Sequence, residues 1–310
     1  MKIHITALSK KLGLVLVLLA SAIYSFALIT EPTVEKKKTI NKSVPLKANQ
    51  RVSIKNSFGS VVVKNYTGSE VKVEVTIIAR AATEDRAQAI LDHIKVNADA
   101  GSTVSFVTEI GNMNNQNGRK GENQGMEINY VVYLPESNPF ELLNEFGKSE
   151  VSDRTGPTDL TQKFGELVVG SLSNVEQITV EFGSIVAEKI KGGKTTFKYS
   201  QVKIKNFSGS IKSTFEFCSK TKIGVTSDVT DINISNSYSD IEINLPEAFN
   251  ATFDIRTSFG DFVNKTSYKI KDEDSGDDHG PKFDKDFSGQ SGTGTCRVKI
   301  KSSFGKLKLT

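Results

Sequence analysis

A chain of 310 residues, 37% apolar and with 24 Gly, is long enough to bury a core, which excludes disorder throughout. It has no Trp and three His, one of them His4, so most routes to a His-rich metal site or to imidazole catalysis are closed. The first 27 positions hold three of the 40 basic residues and none of the 36 acidic ones; the remainder carries +1 with both signs interspersed, which gives no electrostatic case for nucleic acid.

Residues 1–27 read as an export signal. Lys2, Lys10 and Lys11 make a basic start, Leu12 to Ala22 an apolar stretch, and Ser25-Phe26-Ala27 a small-residue cleavage site after Ala27. The apolar stretch is short for a membrane span. The alternative is an uncleaved anchor, because Tyr24 to Ile29 extends the apolar run. The expected destination is the periplasm, the cell surface or the exterior, with membrane contact only through the transient signal. Residues 28–49 follow as an N-terminal extended segment.

Residues 50–135 read as a first rung plus a strand-helix-strand capping unit. Val52, Ile54, Asn56 and Phe58 alternate on one strand face, and Val71 to Ile77 is a second alternating strand. Thr83 to Ile94 has a Thr at the N-cap, acids in the first turn, and Ala87, Ile90, Leu91 and Ile94 at helical spacing. Strands at Thr103 to Ile110 and Met126 to Leu134 flank a Gly/Asn-rich loop, and Pro135 ends the unit.

Residues 136–310 are organised by a repeat. An aromatic followed by a small residue recurs at Phe146-Gly147, Phe164-Gly165, Phe182-Gly183, Tyr199-Ser200, Phe217-Cys218, Tyr238-Ser239, Phe259-Gly260 and Phe304-Gly305, at spacings of 18, 18, 17, 18, 21, 21 and 45. The last spacing contains a polar insert, residues 271–294, read as a solvated, disordered loop whose removal restores a spacing of 21. Apolar residues alternate before each aromatic and switch parity after the small residue, which predicts a corner between two strands. A repeat of this length buries its apolar side only by stacking. The predicted fold is therefore all-β: a single-stranded β-solenoid, or β-helix, of rungs of about 18–21 residues, with the aromatics piled inside and a small N-terminal α+β cap. Glu145, Lys163, Glu181, Lys198 and Glu216, each just before an aromatic, alternate in sign as stacked neighbours should. Cys218 falls in the small-residue column and Cys296 has inward parity, so neither is expected to form a disulfide. The end after Leu309 is expected to leave an unpaired edge.

The opening strand with NSFGSVVVKNYTG, the stretch AQAILDHIKV, the strand ending in YLPES and the succession of FG-x-apolar-x-apolar units resemble the putative adhesin family: adhesin-like β-solenoid proteins of bacterial envelopes, related to GIN-type head domains. The resemblance covers roughly residues 50–310 and implies an exported, non-catalytic β-solenoid with a surface or periplasmic role. The insert and the lysines at Lys220 and Lys222, which replace apolar offsets after Phe217, depart from the pattern.

Stacks of parallel strands also carry polysaccharide lyases and hydrolases, whose chemistry needs clustered carboxylates on an outer face, often with calcium and a basic residue. In the outward column two positions after each aromatic, Asp240 and Asp261 are the acids expected on adjacent rungs, with Glu242 beside them. Asp240, Glu242 and Asp261 are thus the candidate ligand patch, for a divalent cation or a polar glycan; its bland counterpart is a solvated acidic face. The insert's Asp272, Glu273, Asp274, Asp277 and Asp278 do not follow the EF-hand spacing, and His93 and His279 have no catalytic partner in the pattern. No P-loop or nucleophile elbow occurs. The expected function is a binding, adhesion-like or structural module at the cell envelope, without catalytic residue, cofactor or metal. Its partner would be a glycan or an envelope protein. A carbohydrate-active β-helix enzyme and a periplasmic partner of an envelope signalling system are the alternatives.

Overall fold

A computed structural model describes residues 34–112, 124–273 and 283–310. The leader (1–27), the loop at 113–123 and residues 274–282 of the insert, with His279, lie outside the described residues. The described chain is nearly all β: two large mixed sheets of 12 and 13 strands, and a single helix.

From Phe140 the chain alternates between the sheets. Phe140–Glu145, Thr158–Lys163, Val175–Glu181, Lys194–Lys198, Ser210–Glu216 and Asp231–Ser237 are successive parallel neighbours in the second sheet. Ser149–Val151, Glu166–Leu172, Ser184–Lys191, Gln201–Ser208, Ser219–Val225 and Ile241–Asn244 are their counterparts in the first. Inward residues line up in files, such as Val151, Val169, Ala187, Ile204, Ile223, Ile243 and Leu309, all buried. Files of this kind exist because in-register parallel pairing repeats the same side-chain face at every strand. The charge column follows the same register. Lys163 faces Glu145 at 3.4 Å and Lys198 faces Glu216 at 3.1 Å.

The aromatics stack as expected but stand on the outside, not in the core. Phe164 is 45% exposed, Phe182 49% and Tyr199 50%. The corner falls on the aromatic itself: nine of them, from Phe58 to Phe304, have φ between 49° and 62°, the left-handed region. The parity switch therefore occurs at the ring and turns it outward. The residue two places earlier faces in, as at the buried Asn144, Gln162, Val180, Phe197 and Phe215. The glycines that follow do not carry the unusual dihedral. They are there for close approach: a Cβ on Gly165 would lie 1.8 Å from the carbonyl oxygen of Gly147 on the neighbouring strand.

The last rungs are stacked out of chain order. Cys296–Ser303 inserts between Asp231–Ser237 and Ala251–Ser258, and Lys306–Leu309 between Ile241–Asn244 and Asp261–Asn264. Leu309 is thus an interior strand, not the expected open end. Nor is the whole insert a loop: Asp284–Ser291 pairs antiparallel with Ala251–Ser258, and Ile270–Asp272 pairs with it in turn, covering that edge.

At the other end the sheets finish with antiparallel strands. Val34–Pro45, within the segment expected only to be extended, pairs along its whole length with Glu70–Ala81, which pairs with Gly125–Leu134. This edge strand carries Lys36, Lys37, Lys38 and Lys42 and ends in Pro45, features that discourage further pairing. The helix spans Glu84–Asp92 with Thr83 as N-cap and buries Ala87, Ile90 and Leu91. Ile94, expected in the helix, is buried at the start of the strand Ile94–Ala100, which hydrogen-bonds to Thr103–Ile110.

Candidate functional site

Each rung brings one aromatic to the same outer corner, and together they form a continuous ladder. In spatial order it runs Phe58, Phe146, Phe164, Phe182, Tyr199, Phe217, Tyr238, Phe304, Phe259, Phe283. Ring centroids are 4.7 to 5.1 Å apart. Interplanar angles are 2° to 8° up to Phe259, with 18° at the final pair. At the strand spacing this is a ridge roughly 40 Å long. Because the ring faces cover each other, it is the edges, where the quadrupole is positive, that meet solvent.

The ridge is large. Ten aromatics of about 150–250 Å² each, near half exposure, present on the order of 1,000 Å² of apolar surface, beyond the few hundred typical of a soluble monomer. A left-handed backbone costs a bulky residue roughly 1–2 kcal/mol, while a stacked pair returns about 0.5–1.5 kcal/mol. Burying half of each ring adds about 2–3 kcal/mol at roughly 25 cal/mol per Å², so the ladder stabilises the corner by more than its dihedral costs and still leaves the other half of every ring in solvent.

Behind the rings the corner is satisfied by buried amides. Asn144 Nδ2 donates to the Gly59 carbonyl at 3.1 Å, and Gln162 Nε2 to that of Gly147 at 2.8 Å. Asn56 Nδ2 donates to the Ile128 carbonyl at 2.9 Å. Where the column holds Ser instead of Gly, the hydroxyl takes over: Ser200 Oγ donates to the Lys198 carbonyl at 2.6 Å and accepts from Gly183 N at 3.3 Å. Cys218 fits the same slot, with Sγ 3.3 Å from the Phe197 carbonyl. Both thiols are free and buried. Burial raises the pKa of Cys218 and pushes that of Cys296 up to about 11.

The three acids picked out in the sequence do not form one patch. The rung of Lys306 lies between those of Asp240 and Asp261. Asp240 Oδ1 accepts a hydrogen bond from Lys306 N at 2.8 Å, and Glu242 pairs with Lys308 at 3.5 Å. The reversed order of the last rungs is the reason: it inserts a lysine row where two acid rows were expected to adjoin. His93 is half-buried at the helix end, its Nδ1 2.7 Å from the Ala89 carbonyl. Phe283 escaped the sequence reading, although it and Phe287 are the two aromatics of an otherwise polar insert.

Asp159 stands directly opposite Glu141 on the outer face of the second sheet. Burial raises its pKa, and repulsion from Glu141 and Glu176 adds to that, against the pull of Arg51. A carboxyl raised in the folded state costs nothing while protonated, and its penalty grows as pH rises through the folded value. Asp159→Asn should therefore raise Tm at about pH 7 and leave it unchanged at about pH 3, in thermal scans at the two pH values.

No family model matches the chain and no curated protein matches it. The chain resembles solved structures described as putative adhesins. One, from Bacteroides fragilis NCTC 9343, aligns with a TM-score of 0.37 at 11% identity over 89% of this chain and 98% of that one. A putative cell adhesion protein from Clostridium sporogenes ATCC 15579 gives 0.22 at 11% identity, over 88% of this chain and 99% of that one. A putative lipid binding protein from Parabacteroides distasonis ATCC 8503 gives 0.32 at 9% identity, over 88% and 96%. Among the described residues no helix is long and apolar enough to cross a membrane.

Proposed function

We propose that this chain is an exported, non-catalytic binding module of the cell envelope, a solenoid-like winding of two sheets whose contact surface is the external aromatic ladder. The observation that carries this reading is the ladder itself: an apolar ridge, repeated at every rung, held in a backbone conformation that aromatics disfavour. An exposed apolar ridge repeated this regularly fits a surface kept for a partner. The partner is extended, a glycan or an envelope protein laid along the ridge, because shallow contacts at each rung add up only over length. Ring edges offer it C–H groups with positive character, suited to carbonyl and hydroxyl oxygens.

The test is a panel of immobilised polysaccharides and envelope extracts, scored for retention of the protein and for release of reducing or unsaturated ends. Retention without release is the expected result; turnover would replace the module by a carbohydrate-active enzyme. The triple variant Phe164→Asn, Phe182→Asn, Tyr199→Asn relieves left-handed strain while removing rings. Relief of strain offsets only part of the lost ring burial, so its Tm should fall, while retention measured well below that Tm should fall at least about tenfold. A large loss of stability with unchanged retention would make the ladder a structural device only.

A further inference from the structure

Beside the ladder, on the outer face of the first sheet, lies a shallow groove of about 300 Å³ lined by Lys220, Lys222, Lys306 and Lys308 with Asp240 and Glu242. The strand that supplies the first two lysines is irregular. Its register slips by one residue against Gln201–Ser208, and Lys220 has φ 51°. In a regular strand Lys220 and Lys222 would take the inward places three and five after Phe217. The extra residue rotates them out, and Thr221 and Ile223 are buried instead. Bulges re-aim side chains in this way, and a non-glycine residue held at positive φ is strain in want of a reason.

The charges in the groove are unbalanced. Glu242 is engaged by Lys308 and Asp240 by a backbone N–H, whereas Lys220, Lys222 and Lys306 have no ion-pair partner among the described residues. Lys203, also without an ion-pair partner there, stands directly opposite Lys222 on one neighbouring strand, and on the other Lys222 stands opposite Glu242, which Lys308 engages. Like charges directly opposed across parallel strands repel, and an anion between them relieves this. We propose that this groove binds the acidic groups, carboxylate or phosphate, of an anionic polysaccharide. Its sign is opposite to the cation site that the acids alone would indicate. The proposal stands on the groove and not on the ladder, so a ladder that binds nothing leaves it intact.

The experiment titrates the purified protein with polygalacturonate and with neutral dextran at increasing NaCl. Binding to polygalacturonate but not dextran is expected, weakening as salt rises. The pair Lys220→Gln, Lys222→Gln should weaken it about tenfold and flatten the salt dependence. The pair Lys38→Gln, Lys95→Gln, exposed elsewhere, should change it less than about twofold. Lys222→Gln alone, which leaves the left-handed Lys220 in place, gives a smaller weakening in the same direction. Polyphosphate and oligogalacturonate as competitors distinguish the two anion sources by which displaces the polymer at lower concentration. Equal binding to dextran, or equal loss from both lysine pairs, overturns the proposal.

Discussion

Arg154→Ala should cost about 3–5 kcal/mol in urea unfolding, because it removes a clamp and leaves a cavity. The Arg154 side chain is fully buried, and its Nη2 donates to the carbonyls of Pro135 at 2.9 Å and Asn138 at 2.7 Å. Its guanidinium lies 5.6 Å from the centre of the Phe140 ring. These contacts fix the turn between Gly125–Leu134 and Phe140–Glu145, where the chain leaves the capping strands for the parallel stack. Asn138 carries the tie onward by donating to the Gln50 carbonyl at 2.9 Å. Burial lowers the Arg154 pKa to about 10, with nearby Glu136 opposing the shift. Arg154→Lys should recover part of the loss, since both bonds come from Nη2 alone, Nε and Nη1 being without a hydrogen-bond partner, and an ammonium has donors enough for both carbonyls.

A comparable loss, about 2–4 kcal/mol, is expected for Gly165→Ala. The added methyl would stand 1.8 Å from the Gly147 carbonyl oxygen and 2.9 Å from Gln162 Nε2, the amide that satisfies that carbonyl. Both sheets hold the corner on either side, so relief requires moving a backbone that is itself paired. Gly101→Ala is the control. The nearest atom to its Cβ is the Asp99 Oδ2 at 3.4 Å, in an exposed turn, and its stability should change by less than about 0.5 kcal/mol.

Much of the architecture could be read from residue spacing, because parallel stacking writes the same period into side chains and charges. The alternating file from Glu145 to Glu216 and the helix capped by Thr83 are of this kind. What could not be read was the direction of the rings. Counting parity straight through Phe164 puts it on the same face as Gln162, and only a left-handed dihedral at the aromatic, invisible to periodicity, turns it out. The order of the final rungs was hidden for another reason. Phe253, Ile255 and Thr257 present the same inward pattern as Val298, Ile300 and Ser302, so either strand could lie next to Asp231–Ser237. The choice is tied to the strand Asp284–Ser291, which occupies the outer edge of Ala251–Ser258. The candidate acids fared worst because their grouping depended on that order. The lysines that share their groove were visible as an irregularity at Lys220 and Lys222, without a meaning until the bulge was seen.

The displaced position of Cys296–Ser303 carries a consequence for how the molecule matures. Residues Asp231–Ser237 leave the ribosome with a vacant neighbouring slot, which closes only when a segment some 66 positions later, as in the pairing of Ser237 with Ser303, arrives to fill it. Winding thus cannot finish in the order of synthesis; it ends with a late keystone sliding between two courses already laid. Until then the vacant slot is a template for any strand of similar pattern, including the same segment of another molecule, and crowded nascent chains would exchange keystones there.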